Sequence, residues 1–362
     1  MAERRIHTIT MAGAAVAIET NHAPWEAYLQ KHFGPLLTHG ERSSQAEVTV
    51  QARWEAQRWG EPSLHAEQSD RLTERLGGSI VGSDQEICWV QKFRGSQRLR
   101  LIAKWEGARL RIEGIYRRKV LKERMKLWMG ASESQRLFEL TYPLVYYPLW
   151  WYLESTADWH VLHASAVQHA GGTVVFAGLE GIGKTTLALA WAGADGQLIA
   201  DNLIWYNATH VLGVPEPIRL HDPSIPAVQR AGLERLAMGA TLKGFFRMAR
   251  APLQPTTPVA VVLPVLSTAT DLLPIGPEAC ADRLLATNQL AGEVSAYLPF
   301  AAWMSFLRPV SGLQAHRRDR LIALLKRCRC GILRMAHGDV EGAVSRVRDW
   351  LKQSRPMTAG VS

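Results

Sequence analysis

The first third of the chain alternates apolar and polar residues with period two. Glu47-Val-Thr-Val-Gln-Ala52 predicts a strand. Ser79-Ile-Val81, Glu86-Ile-Cys-Trp-Val90, Leu99-Arg-Leu-Ile-Ala-Lys-Trp105 and Arg109-Leu-Arg-Ile-Glu-Gly-Ile-Tyr116 predict successive strands joined by glycine-containing turns. Residues 8–19 predict one more strand. Trp25, Tyr28, Leu29, Phe33 and Leu36 recur at helical spacing, which predicts a helix over Trp25–Leu37 with Asn21 as its cap. Arg53–Asp70 is polar with tryptophans and reads as a loop or hairpin. Residues 1–139 are therefore expected to form a sheet-rich α+β domain that packs one sheet face and serves substrate docking or oligomerisation.

Arg136–Thr156 has helical character and is dense in Tyr, Trp and Phe, a composition suited to a core or to a domain or subunit interface. A homo-oligomer stays open on this ground. The domain boundary is placed near residue 140. Strands are predicted at Val161–Gln168, Thr173–Ala177, Gln197–Ala200, Leu203–Tyr206, Val211–Val214 and Val259–Leu263. Helices follow the second of these strands as far as Trp191, then cover Ala279–Asn288, Arg317–Lys326 and Val340–Lys352. This order describes an α/β domain over residues 140–353, followed by a flexible tail at 354–362. The nearest approach to a membrane segment, Leu140–Leu153, holds Pro143 and Pro148 and falls short of the ~18 apolar residues a spanning helix needs.

Composition narrows the classes. The 362 residues have room for two ordinary domains, and 47% hydrophobic with 21% charged residues describes a globular chain. A formal net charge of +9 suits an acidic partner: nucleotide, nucleic acid, phosphorylated metabolite or acidic peptide. Part of that charge lies in Arg117, Arg118, Lys119, Lys122, Arg124 and Lys126. The tract reads first as a solvated helix face and second as a docking surface, and no DNA- or RNA-binding motif accompanies it. Cys88, Cys280, Cys328 and Cys330 are scattered without zinc-site spacing and are expected as reduced, partly buried thiols of a cytoplasmic protein. The charged start followed by Ile9–Ile18 lacks a small-residue cleavage site and is read as part of a first strand.

Gly178-Leu179-Glu180-Gly181-Ile182-Gly183-Lys184-Thr185-Thr186 fits the phosphate-binding pattern G-x-x-x-x-G-K-[ST]. Its context fits too: an apolar strand precedes it and an Ala/Leu-rich helix follows. Glycines allow the backbone N–H groups to turn inward at an anion, and the new helix presents its partly positive end. Lys184 is the residue to reach the outer phosphates, and the Thr185 hydroxyl suits Mg2+. Leu198-Ile-Ala-Asp201 is an apolar strand ending in a carboxylate that can lie beside the outer phosphate, hold metal or take a hydroxyl proton. His163 sits in the strand before the loop, where a satisfied core histidine is the commoner reading. No guanine-reading N-K-x-D follows, and the Val259 strand reaches Pro264 without a carboxylate, which disfavours an ordinary GTPase or motor ATPase.

From His163-Ala-Ser-Ala-Val167 through the loop to Asp201, the sequence resembles the HPr serine kinase/phosphorylase superfamily, especially bacterial HPr-kinase-like proteins, including those of peptide-tailoring clusters. Weaker echoes lie in Gly213–Leu220, Pro258–Pro264 and Arg334–Asp339. The resemblance implies ATP- and Mg2+-dependent phosphoryl transfer to a hydroxyl, of Ser or Thr in a peptide or protein. It implies Asp201 as base, His163 as a phosphate-orienting neighbour, and Lys184 and Thr185 as phosphate and Mg2+ contacts. Arg219 becomes a candidate substrate contact, beside its reading as a surface arginine. Asn202 stands where the family carries a second acidic residue. Its carbonyl can still ligate Mg2+ but brings no charge, which leaves a weak or inactive kinase open. The alternatives are a small-molecule hydroxyl as acceptor, a nucleotide-binding adaptor without transfer, and a nucleic-acid-dependent ATPase.

Overall fold

The computed structural model describes residues 6–39, 45–56, 74–77, 80–82, 86–93, 97–118, 133–193, 196–221, 233–238, 243–248, 254–310 and 312–353. Most of the predicted loop at 53–70 and most of the basic tract at 117–126 lie outside them. The fold is mixed α/β, with three sheets whose strands are not all in one direction. No helix among the described residues is long and apolar enough to cross a membrane.

The first sheet holds β1 (Ile6–Met11), β2 (Ala14–Thr20), β3 (Leu37–His39), β4 (Val48–Ala56), β5 (Glu74–Gly77), β6 (Ile80–Gly82), β7 (Glu86–Phe93), β8 (Gln97–Glu106) and β9 (Arg109–Arg118). Their spatial order is β3-β1-β2-β4-β9-β8-β7-β6-β5, with β4 parallel to both its neighbours. Alternation does what it predicts: Val48, Val50, Ala52 and Trp54 of β4 face inward while the residues between them do not. Two expectations change here. Residues 8–19 are a hairpin rather than one strand, because Ala12 and Gly13 both take positive φ (51° and 81°) and reverse the chain in two residues. Helix α1 (Ala23–Phe33) starts after His22, and Asn21 does not cap it. Its side chain instead clamps Trp54, accepting from the backbone N–H at 2.8 Å and donating to the carbonyl at 3.4 Å.

Helix α2 (Glu133–Thr141) runs through a π turn at Tyr142–Tyr146 into α3 (Tyr147–Thr156). Pro143 and Pro148 lack an N–H, so the ladder widens and Tyr147 N donates to Tyr142 O, five residues back. Every residue from Leu140 to Leu153 is buried, so this apolar run is a core rod. It carries the first core, shared by the first sheet and a later helix, through Trp150, Trp151, Tyr297 and Trp303.

The second sheet is built from β10 (His160–His169), β11 (Gly172–Ala177), β12 (Gln197–Ala200), β13 (Leu203–Tyr206), β14 (Val211–Gly213), β18 (Pro258–Ser267), β19 (Asp271–Pro274) and β20 (Arg329–Ala336). Their order is β14-β13-β10-β11-β18-β20-β19, with β12 also pairing β10. β11, β18 and β20 run parallel. One face packs on α4 (Lys184–Ala192) and α8 (Val340–Lys352) through Phe176, Val262, Leu187 and Val347. The other packs on α5 (Pro277–Leu290) and α7 (Leu313–Leu325) through Leu162, Ala164, Leu284 and Leu324. The third sheet joins β15 (Ile218–His221), β17 (Lys243–Met248) and β16 (Leu233–Met238) in that order.

Helix α6 (Gly292–Leu307) is not among the predicted elements. Pro299 lies inside it and its apolar residues are not confined to one stripe, so neither periodicity nor a breaker rule identifies it. Three of the cysteines meet in space: Cys280, Cys328 and Cys330 enter one core and Cys88 another, and all four are free, buried thiols.

Burial makes two histidines acid-sensitive. His32, between the Tyr28 and Tyr146 hydroxyls at 2.9 and 2.6 Å, is lowered by burial and then by Arg247 from 6.5 to about 3. His163 is lowered by burial and then by Lys184 from 6.5 to about 4. Between those values and 6.5 the unfolded chain binds more protons, so stability falls as the pH falls. In denaturant midpoints these two imidazoles contribute a loss on the order of 2–4 kcal/mol between pH 7 and pH 5, which the buried Glu216 carboxyl, pushed well above its ordinary value, partly offsets. A wild-type profile parallel to that of the His32→Gln, His163→Gln double variant over that interval would show that these imidazoles titrate normally.

Candidate functional site

The glycine-rich loop joins the end of β11 to α4, where the parallel strands present their carboxyl ends. Gly178, Gly181 and Gly183 have φ of 141°, 77° and 95°, which L side chains rarely adopt, so the loop can follow this path only with glycine there. A Cβ at Gly181 would meet nothing within 4 Å, so the middle of the loop borders open space. The amides of the first turn of α4 have no partner within the helix.

Lys184 folds back over the loop, donating from Nζ to Gly178 O at 3.1 Å and Leu179 O at 2.6 Å. It is buried, and no carboxylate forms an ion pair with it among the described residues. Burial pulls its ammonium from 10.5 to about 8, against the opposing charges of Asp201, Glu180 and Glu293. A buried cation whose hydrogen bonds go to neutral carbonyls, with carboxylates only at longer range, costs stability and suits an incoming anion. Below pH 8 the folded chain keeps this charge against burial, and the penalty fades as the pH rises from 8 toward 10.5. Lys184→Met is therefore expected to raise the ligand-free thermal midpoint, by on the order of 1–3 kcal/mol of stability at pH 7. A lowered midpoint would contradict the reading that this lysine is held in a strained state for a ligand.

Asp201 follows β12 and lies beside the start of α4. Its Oδ1 accepts from Thr185 Oγ1 at 2.6 Å and from Ser165 Oγ at 2.7 Å, and neither bond uses Oδ2. Three separate stretches thus converge: β10, the first turn of α4 and the end of β12. His163 and Ser165 are two apart on β10 and so share the face turned toward α4, while Leu162 and Ala164 face α5 and α7. His163 is placed by Asn288 of α5, which accepts its backbone N–H at 2.7 Å and donates to Val161 O at 3.1 Å. Its Nδ1 is buried without a hydrogen bond. With its pKa near 4 it is neutral at pH 7, so it can accept or donate a hydrogen bond but contributes no positive charge.

Asn202 has positive φ (76°), so the backbone reverses directly after Asp201. Its carbonyl accepts from Ala164 N at 3.1 Å, and its amide donates to Glu216 Oε2 at 2.8 Å. The side chain expected as a metal contact is thus engaged with a buried acid. Glu216 also accepts from the Tyr142 hydroxyl of the π turn. Burial and then Glu293 push its carboxyl well above the ordinary value, against Arg219. Arg219 is no surface arginine. Its side chain is 29% exposed, pairs with Glu293 at the start of α6, and stacks 5.5 Å from the Phe138 ring centroid. Burial works to raise the Glu293 carboxyl, but Arg219 outweighs it and holds the group below its usual value.

The structure therefore brings Lys184, Thr185, Asp201 and His163 together, and gives Asn202 and Arg219 other partners. Sequence reading missed Ser165, Glu216, Glu293 and Tyr142. The period of β10 could have found Ser165, two residues from His163. Glu293 comes from a helix the pattern concealed. Compared with protein-family models and with curated proteins, the chain matches none.

Proposed function

We propose that the chain is an ATP-dependent kinase of the HPr-kinase-like kind, transferring a phosphoryl group to an alcohol, with a Ser or Thr of a peptide or protein as acceptor. The observation that carries this reading is the Asp201 carboxylate bonded to the Thr185 hydroxyl at 2.6 Å, beside a buried Lys184 without a counter-ion. Both ATP and Mg2+ fit the residues present: loop glycines in ligand-cradling conformations, a lysine without an anion, and a hydroxyl-carboxylate pair of the kind that holds Mg2+ beside phosphates. MgATP supplies the activated phosphoryl group.

The geometry supports these roles for the protein's own residues. Loop amides and the N-terminal end of α4 would hold the phosphates. Lys184, now on two loop carbonyls, would hold phosphate oxygens, whose charge would offset its burial penalty. The Thr185 hydroxyl oxygen would be a ligand to Mg2+. Ser165 fixes Asp201 so that Oδ2 can take the proton of the attacking hydroxyl. Neutral His163 hydrogen-bonds without adding charge. A cytoplasmic location follows from the need for ATP.

One observation favours a second reading, a nucleotide-binding adaptor: Asn202 brings no second carboxylate, and its amide is tied to Glu216. The test is ADP formation and acceptor labelling with MgATP, a panel of Ser/Thr peptides and small alcohols. ATP binding without ADP formation under any acceptor would favour the adaptor; no ATP binding at all would remove both readings.

A further inference from the structure

Three residues unrelated to the glycine-rich loop converge on the opposite face of the second sheet. They are Asp158 in the α3–β10 link, His160 at the start of β10, and His316 in the first turn of α7. One ligand atom from each lies within 4.8 Å of the others. His160 Nε2 is 3.4 Å and His316 Nε2 2.6 Å from Asp158 Oδ1, and the two imidazole centroids are 5.4 Å apart. His160 and His163 are an odd number of residues apart on one strand, so they point to opposite sheet faces.

His160 is fully buried, and its two ring nitrogens reach carboxylate oxygens only at 3.4–3.5 Å, without a well-directed hydrogen bond. A buried imidazole set between two carboxylates requires an explanation. Its Nδ1 lies 3.5 Å from Glu154 Oε1, the arrangement in which a carboxylate behind a histidine orients the other nitrogen toward a metal. That other nitrogen faces Asp158. The link is bent to bring the carboxylate there, since Asp158 holds a positive φ of 58°.

We propose that Asp158, His160 and His316 bind a divalent transition-metal cation, of the Zn2+ type, that ties the α3–β10 link to α7. Two imidazoles and one carboxylate suit Zn2+ rather than Mg2+ or Ca2+, which take oxygen ligands. Tetrahedral bonds of about 2.0–2.1 Å imply ligand-to-ligand edges of about 3.3–3.4 Å. The His160–Asp158 separation already has that length. His316, 43% exposed in its side chain, would withdraw from Asp158 by less than about 1 Å and close on His160, the three ligand atoms lying within 4.8 Å of one another. Arg320 also contacts Asp158, at 2.9 Å to Oδ2 and 3.1 Å to Oδ1. With Oδ1 on the cation, Arg320 keeps Oδ2 and orients the carboxylate, while its charge moderates affinity. Water takes the fourth position, on the side where Asp158 and His316 are partly exposed.

The test uses the full chain, freed of metal with a chelator and titrated with Zn2+ or Co2+ alone. The expected result is one Zn2+ per chain, a Zn2+-dependent rise in thermal midpoint, and a tetrahedral Co2+ spectrum. His316→Ala and Asp158→Asn should each lower apparent Zn2+ affinity by more than about tenfold and abolish the rise. His337→Ala, at an exposed histidine of the β20–α8 turn, should change neither. Equal Zn2+ binding by all four proteins overturns the proposal. So does a wild-type Co2+ form without the tetrahedral spectrum, whatever the folding of the variants.

Discussion

Asp201→Asn is expected to lower phosphoryl transfer by about 10²–10⁴-fold while leaving Mg2+-free nucleotide affinity within a few-fold of wild type. The amide has the size of the carboxylate, and its oxygen can still accept from Thr185 and Ser165, so the fold around β12 should persist. What disappears is the charge next to the hydroxyl proposed for Mg2+ and the oxygen proposed to take the acceptor's proton. Ser165→Ala acts one step back. It removes the 2.7 Å bond that fixes Asp201 and should cost less, about tenfold or so, on the scale of one lost hydrogen bond to a charged group. Single-turnover labelling of an acceptor, with nucleotide binding measured separately, resolves these steps. Wild-type transfer by the Asp201→Asn variant would sink the proposed chemistry. A protein that binds ATP and performs its docking equally well after this substitution would be an adaptor.

Much of this site is legible from local sequence because its parts are local. The strand, the three glycines with positive φ, Lys184 and Thr185 lie within a dozen or so residues, where steric rules and backbone amides act without help from the rest of the chain. Asp201 is legible because an apolar strand that ends in an acid has few places to put it. The second sheet is likewise readable wherever buried strands form continuous apolar runs.

The unread parts have physical reasons. Asn202 and Arg219 carry the right chemistry for ligand contact, but their partners, Glu216 and Glu293, are 14 and 74 residues away. No local rule reports that a buried acid already claims them. The β1–β2 turn uses Ala-Gly rather than Asn-Gly, so the usual hairpin signal is missing. The domain boundary placed at residue 140 falls at the end of α2, inside the buried rod that runs on through the π turn into α3, and both the first sheet and α6 pack on that rod. Burial of one helix between a sheet before it and a helix far beyond it leaves no mark in hydrophobic periodicity, which reports only that a face is apolar.

Arg317→Met is expected to destabilise the fold by about 3–5 kcal/mol at pH 7, because it strands a buried carboxylate. Glu154, at the end of α3, is 2% exposed in its side chain. It accepts Arg317 Nε at 2.8 Å, Nη2 at 2.6 Å and the Tyr297 hydroxyl at 2.6 Å. Burial alone would raise the Glu154 pKa, yet Arg317, with His160 assisting, lowers it from 4.5 to about 2. In wild type this pairing contributes stability above pH 4.5 that is lost as the pH falls toward 2. Without Arg317 the sign reverses: burial outweighs the remaining help from His160, the carboxyl titrates above its ordinary value, and acid relieves the variant. The gap between the two proteins should therefore narrow from pH 7 to pH 4.5. Glu154→Gln combined with Arg317→Met should recover most of the loss, since removing both partners leaves no buried charge. A loss under about 1 kcal/mol, or one that does not change with pH, would mean that the pair is solvated in solution. The consequence reaches the site through α6. Tyr297 and Glu293 are four residues apart on one helix face, so the helix anchored by Glu154 also carries the carboxylate that holds Arg219. Loosening the anchor should displace Glu293, and Arg219 with it, before the glycine-rich loop itself is disturbed.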